Sequence, residues 1–133
     1  MKVHHVGYLV SDMESALGRF ISMGAIVTDR TVYDEDRLVD IAFIKFGNMP
    51  IELVCPREDS TAVGKSLRKL RNTPYHLCFE CADLEEEVKR QIESGCMLVI
   101  EPQRAVAIGG HPVAFLYSEE IGLFELVELP EHA

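Results

Sequence analysis

The stretch HHVGYLVSDMESALGRFISMGAIV, residues 4–27, returns in a second wording as YHLCFECADLEEEVKRQIESGCMLV, residues 75–99. With an offset of 71, His5 meets His76, Asp12 meets Asp83, Arg19 meets Arg90, Ile21 meets Ile92 and Gly24 meets Gly95. Each copy opens on an alternating run, which is the signature of a strand with one apolar face. Val6, Tyr8 and Val10 share one side of the first run, and His5, Gly7 and Leu9 the other. In the second run Tyr75, Leu77, Phe79 and Cys81 oppose His76, Cys78 and Glu80. Short polar acceptors follow (Ser11-Asp12 and Asp83), suited to capping the free amides of a helix start. Apolar residues at helical spacing come next, and Gly24 and Gly95 stand where a helix end wants a left-handed residue.

Three further strand-like runs complete each copy. They are AIVTDRTVY, LVDIAFIKFG and PIELVCP in the first, and MLVIEPQRA, HPVAFLYS and LFELVEL in the second. Ala42-Phe43 aligns with Ala114-Phe115 at an offset of 72, and Glu52 with Glu125 at 73. Small loop changes produce such a drift. The chain therefore reads as an α+β tandem duplication of βαβββ modules. Module one covers residues 1–55 and module two 75–129; a polar connector, 56–74, carries a short helix near 61–71.

The 133 residues are enough for one domain with a real core. The formal net charge of −9 disfavours nucleic acid and anionic membrane as partners. No apolar run is long enough to span a bilayer and MKVHHVGY lacks a signal-peptide core, so a cytoplasmic address is expected. Cys55, Cys78, Cys81 and Cys96 are expected as reduced thiols. Cys78 and Cys81, three apart in a strand, point to opposite faces and do not clasp one ion.

Each module places a His near the start of its first strand and a Glu in its last. His5 and Glu52 are 47 apart, His76 and Glu125 49 apart. If the alternate face packs on helices, all four point to the other side of the sheet. Two-fold pseudo-symmetry would then gather two imidazoles and two carboxylates. That donor set suits a divalent cation such as Zn²⁺, Ni²⁺, Co²⁺, Mn²⁺ or Fe²⁺. A Glu inside an apolar strand is costly unless paired or ligated, and here the cost is incurred twice.

On HHVGYLV, PIELVCP, YHLCFEC and LFELVEL, in that order, the chain resembles the vicinal-oxygen-chelate superfamily over roughly residues 3 to 129. The group includes glyoxalase I, methylmalonyl-CoA epimerase, extradiol dioxygenases and bleomycin-resistance proteins. The resemblance implies paired modules whose mixed sheet curves around a metal cleft, with His5, Glu52, His76 and Glu125 as ligands. Within the superfamily, HHVGYLVSDMESAL, IELVCP and GGHPVAFLY…GLFELVEL look most like methylmalonyl-CoA epimerases and nearby glyoxalase-like proteins. Glyoxalase I (lactoylglutathione lyase) shares the His-Glu-His-Glu pattern. Extradiol dioxygenases use two His and one carboxylate, and a non-catalytic binding member would need no ligands. An additional acid/base glutamate of the epimerases aligns with Asp40; Glu35 and Asp36 are weaker counterparts.

What the resemblance implies chemically is removal of a proton from carbon next to a carbonyl, with the enediolate stabilised by a cation. Glu125 is the expected base, with Asp40 or Glu52 acting from the other face. The substrate would be a small thioester or thiohemiacetal. Lys65 and Arg68, with Lys69 and Arg71, form a basic stripe in GKSLRKLR that could meet phosphates or carboxylates. Arg104 and His111, around AIGGHP, are expected at the cleft mouth. A homodimer is expected on the resemblance.

Overall fold

The alternation of the strands decides what each sheet face buries. A computed structural model describes residues 1–130. It contains β1 (Val3–Leu9), α1 (Met13–Ser22), β2 (Ile26–Asp34), β3 (Val39–Phe46) and β4 (Met49–Pro56). After α2 (Ala62–Leu70) come β5 (Thr73–Cys81), α3 (Leu84–Glu93), β6 (Met97–Ala105), β7 (His111–Ser118) and β8 (Gly122–Glu128). A one-turn 3-10 helix, Val106–Ile108, lies between β6 and β7. The elements and their order are those of the α+β, twice-repeated βαβββ pattern, and the connector helix lies where expected. Among the described residues no helix is long and apolar enough to cross a membrane.

The chain divides into two units, His5–Tyr75 and a second made of Met1–His4 with the chain from His76 onward. In the first, the strands run in the order β2-β3-β4-β1, with β1 and β4 parallel and the other neighbours antiparallel. The second repeats the arrangement as β6-β7-β8-β5, again with a single parallel pair, β5 and β8. Even the irregularities are duplicated. The β2–β3 register shifts at Val27/Asp29 and Asp29/Val32, and the β6–β7 register at Leu98/Ile100 and Ile100/Gln103, each 71 residues on. The first four residues belong to the second unit through the amide of Glu80, which donates to the Lys2 carbonyl at 2.9 Å.

The helices begin where the caps require. Asp12 accepts from the Ser15 amide at 2.9 Å and Asp83 from the Glu86 amide at 3.1 Å, both from extended backbone. Each cap satisfies an amide that the helix itself cannot. Helix α1 lays Met13, Ala16, Leu17 and Phe20 on Tyr8, Val10, Ile44, Ile51 and Leu53. Helix α3 puts Leu84 and Val88 on Ala114, Leu116, Phe124 and Leu126. The helix-covered face is thus the odd-numbered face of β4 and the even-numbered face of β8, and the other face carries Glu52 with Val54 and Glu125 with Val127, all buried. Gly64 in α2 is required by space: a Cβ there would sit 2.0 Å from the Glu58 carbonyl oxygen and 2.9 Å from the Asp59 Cα.

Truncating a buried core residue leaves a cavity, so Leu126→Ala is expected to lower unfolding free energy by about 2–5 kcal/mol in chemical denaturation. Ile92→Ala, on the exposed side of α3, should stay within about 1 kcal/mol.

Candidate active site

Register delivers the first histidine to the first glutamate. In the parallel β1–β4 pair Gly7 lies beside Glu52, so His5, two residues earlier on the same face, reaches toward the same carboxylate. His5 Nε2 stands 3.6 Å from Glu52 Oε1. The second unit repeats the device: Cys78 lies beside Glu125 in the β5–β8 pair, and His76 Nε2 is 3.2 Å from Glu125 Oε1. His5 and Glu125 are fully buried, Glu52 and His76 at most 5% exposed. A phenylalanine completes each group. Phe43 pairs with Glu52 across β3–β4 and sets its ring edge-on to His5, 5.3 Å between centroids at 87°. Phe115 pairs with Glu125 across β7–β8 and meets His76 at 5.1 Å and 85°.

The energetics make these groups unusual for a small core. Desolvating a carboxylate costs several kcal/mol unless charge and hydrogen bonds offset it. An imidazole beside each carboxylate offsets part of that cost, in the same way in both units. An imidazole nitrogen and a carboxylate oxygen converging from neighbouring strands are ordinary donors for Zn²⁺ and similar divalent ions, so each pair fits half of a four-ligand set.

Two expected residues stand elsewhere. Asp40 pairs in register with Cys55, not Glu52, and so lies on the helix-packed face, opposite His5 and Glu52. Its carboxylate accepts two bonds from Arg57, at 2.8 Å from Nη2 and 3.1 Å from Nε. That guanidinium lies over the Tyr33 ring at 3.7 Å. The expectation that Asp40 serves as the acid/base group is therefore corrected: three positions separate it from Phe43, and an odd step in a strand changes faces. Glu35 and Asp36 are exposed residues of the β2–β3 turn, where Asp34 accepts from the amides of Asp36 and Arg37.

Arg104 and His111 are placed differently. Arg104 registers with Pro112, whereas His111 registers with Ala105, so the two lie on opposite faces of the β6–β7 ribbon. Arg104 donates to the Gly110 carbonyl at 3.1 Å and clamps the turn in which Gly109 and Gly110 both take positive φ. His111 shares the face of Val113, Phe115 and Glu125 and lines a cavity of about 460 Å³ with Lys2, Glu80 and Leu129. Lys65 and Arg68 are both exposed on α2.

No two of the four cysteines are joined in a disulfide among the described residues. Cys78 is buried on the Glu125 face and Cys81 packs against the α3 core on the other. Burial, with lesser repulsion from Glu87, Glu128 and Asp83, pushes the Cys81 thiol up to about 11.

The sequence profile of the Glyoxalase/Bleomycin resistance protein/Dioxygenase superfamily matches residues 4–115, and the chain belongs to that family. An ethylmalonyl-CoA/methylmalonyl-CoA epimerase of Cereibacter sphaeroides is 24% identical over 120 residues, covering 90% of each chain. The human mitochondrial methylmalonyl-CoA epimerase is 27% identical over 136 residues, 98% of this chain and 73% of that one. Among solved structures, a hypothetical protein of Bacillus halodurans superposes with a TM-score of 0.86 at 26% identity, over 99% of this chain and 96% of that one. The methylmalonyl-CoA epimerase of Mycobacterium tuberculosis gives 0.82 at 25%, over 98% and 88%.

Because the Cys81 thiol ionises later in the folded chain than in the unfolded one, its contribution to stability is complete below the ordinary thiol value of 9.0. It is lost as pH rises through about 11. Denaturation curves across that window should show stability falling with pH, and Cys81→Ala should flatten the fall.

Proposed function

We propose that the chain is a divalent-metal-dependent isomerase that epimerises a 2-substituted malonyl thioester of coenzyme A at the carbon next to the thioester carbonyl. His5, Glu52, His76 and Glu125 would together hold one ion, each module giving one nitrogen and one oxygen. Bound there, the ion supplies positive charge beside the oxygen on which negative charge develops when the α-proton leaves. The observation that carries this reading is the repetition of one buried His–Glu pair, in the same register, in both halves of the chain. The named activities of the relatives support the thioester.

Inversion at carbon needs proton movers on two faces. Glu125 is assigned to take the proton and Glu52, from the other module, to return it on the opposite face. The removal of Asp40 from that role leaves Glu52 as the second carboxylate. Phe43, Phe115 and the small Gly7 keep the surroundings apolar, which strengthens any charge interaction at the reacting carbon. Lys65, Arg68 and His111 are assigned to the anionic or polar remainder of the substrate. The assembly is proposed to be a homodimer; edge strand β2 exposes Ile26, Val27, Val32 and Tyr33, and sedimentation should give twice the chain mass.

The test follows the α-proton. In deuterated water the protein should exchange that proton of methylmalonyl-CoA and interconvert the epimers. Glu125→Gln and Glu52→Gln should each lower kcat by about 10²-fold or more, the usual span for losing a general acid or base. Asp40→Asn should leave kcat within about threefold, since it breaks a half-exposed ion pair worth under about 1 kcal/mol. Conversion of the glutathione–methylglyoxal adduct with no exchange on the CoA ester would instead assign lactoylglutathione lyase chemistry.

A further inference from the structure

A donor set repeated in two halves gives a substrate no direction, but the row of side chains beside it does. In the first unit Ile26, Lys45 and Pro50 lie side by side across β2, β3 and β4. Lys45 is two residues from Phe43 and Pro50 two from Glu52, so both share the face of His5 and Glu52. The equivalent row of the second unit is Met97, Tyr117 and Leu123, beside Phe115 and Glu125. On the far side of each glutamate the next row is closed: Ile41 and Val54 in one unit, Val113 and Val127 in the other, are at most 3% exposed. The row of Lys45, like that of Tyr117 and Met97, is where each face meets solvent.

The two rows differ in charge. Among the described residues Lys45 is the one lysine or arginine on this face of β1, β3 and β4, and the same face of β5, β7 and β8 carries none. Lys45 is half-buried and forms no ion pair or side-chain hydrogen bond among the described residues. Glu52, its diagonal neighbour across β3–β4, is turned to His5 instead. We propose that Lys45 takes the free carboxylate of the substrate. The inference deepens the function proposed above and rests on it for the identity of the thioester. A 2-substituted malonyl thioester carries that carboxylate on the very carbon that loses the proton. Diagonal neighbours in a sheet stand about 7–8 Å apart, within reach of a lysine side chain, so this cation meets the carboxylate and not the distant phosphates of the coenzyme. An ammonium there adds a charge-assisted contact where water screens little. It also offsets the negative charge that opposes a second one developing on the same carbon. Tyr117, in the equivalent place, presents an aromatic ring, so the carboxylate is drawn to the first unit and the apolar start of the thioester arm is left to the second.

Equilibrium binding to the full chain, with Co²⁺ present, separates the claims. The probes are methylmalonyl-CoA, propionyl-CoA, which lacks the carboxylate, and free methylmalonate, which lacks the coenzyme. Lys45→Met should weaken methylmalonyl-CoA and methylmalonate by about 10-fold each, the span for losing a contact to a charged group. Propionyl-CoA should bind that variant as it binds the wild type, which also shows that the variant folds; Lys45→Gln repeats the test should it not. Lys45→Arg should keep most of the affinity. Lys65→Met, in a residue assigned to the coenzyme, should weaken both CoA esters alike and leave methylmalonate unchanged. Unaltered methylmalonate affinity in Lys45→Met, or an equal loss for propionyl-CoA, overturns the assignment. So does a wild type that binds methylmalonate no better than propionate. Methylmalonate binding that depends on Lys45, without binding of either CoA ester, would keep the assignment and refute the thioester alone.

Discussion

Burying a carboxylate beside an imidazole costs desolvation, and this chain does it twice. Water solvates both groups well and an apolar strand face does not, so the contacts of 3.2 and 3.6 Å within the pairs offset a real desolvation cost. The rest of the architecture is arranged around that cost. Each helix covers the opposite face of its own strands, and the histidines and glutamates lie on the other face among buried aliphatic residues such as Leu9, Ile41, Val113 and Val127. The parallel pairing of first and last strands in each unit is what puts a His and a Glu, 47 or 49 residues apart, side by side.

This division of labour explains why the two faces tolerate different chemistry. On the helix face, Asp40 is kept in a bidentate pair with Arg57 and near the surface, where a carboxylate costs little. On the other face a carboxylate is kept dry. A proton-transfer group is better served by the second environment, because charge interactions there are little screened by water. The same functional group therefore has different uses three register positions away.

Much of this was legible from the chain alone. The offset of 71 carried the duplication, the caps at Asp12 and Asp83 carried the helices, and alternation around Glu52 and Glu125 carried their common face with His5 and His76. Asp40 was misplaced because alignment locates a residue along a strand but not its parity, and one step reverses the face. The β6 irregularities at Ile100 and Gln103 make the parity of that strand unreadable without coordinates. The ring contacts of Phe43 and Phe115 were half visible. Their repetition with Ala42 and Ala114 stood in the sequence, yet periodicity says nothing of which ring turns edge-on to which. The Arg57 partner of Asp40 lies 17 residues away across a hairpin and leaves no local signal.

The central claim is that the two pairs serve one cation and not one each. Metal content per chain, measured on purified protein beside His5→Ala and His76→Ala, tests it most directly. One divalent ion per chain, lost in both variants although they sit in different modules, is the predicted result. Two ions per chain, or an ion that survives the loss of either histidine, would contradict it.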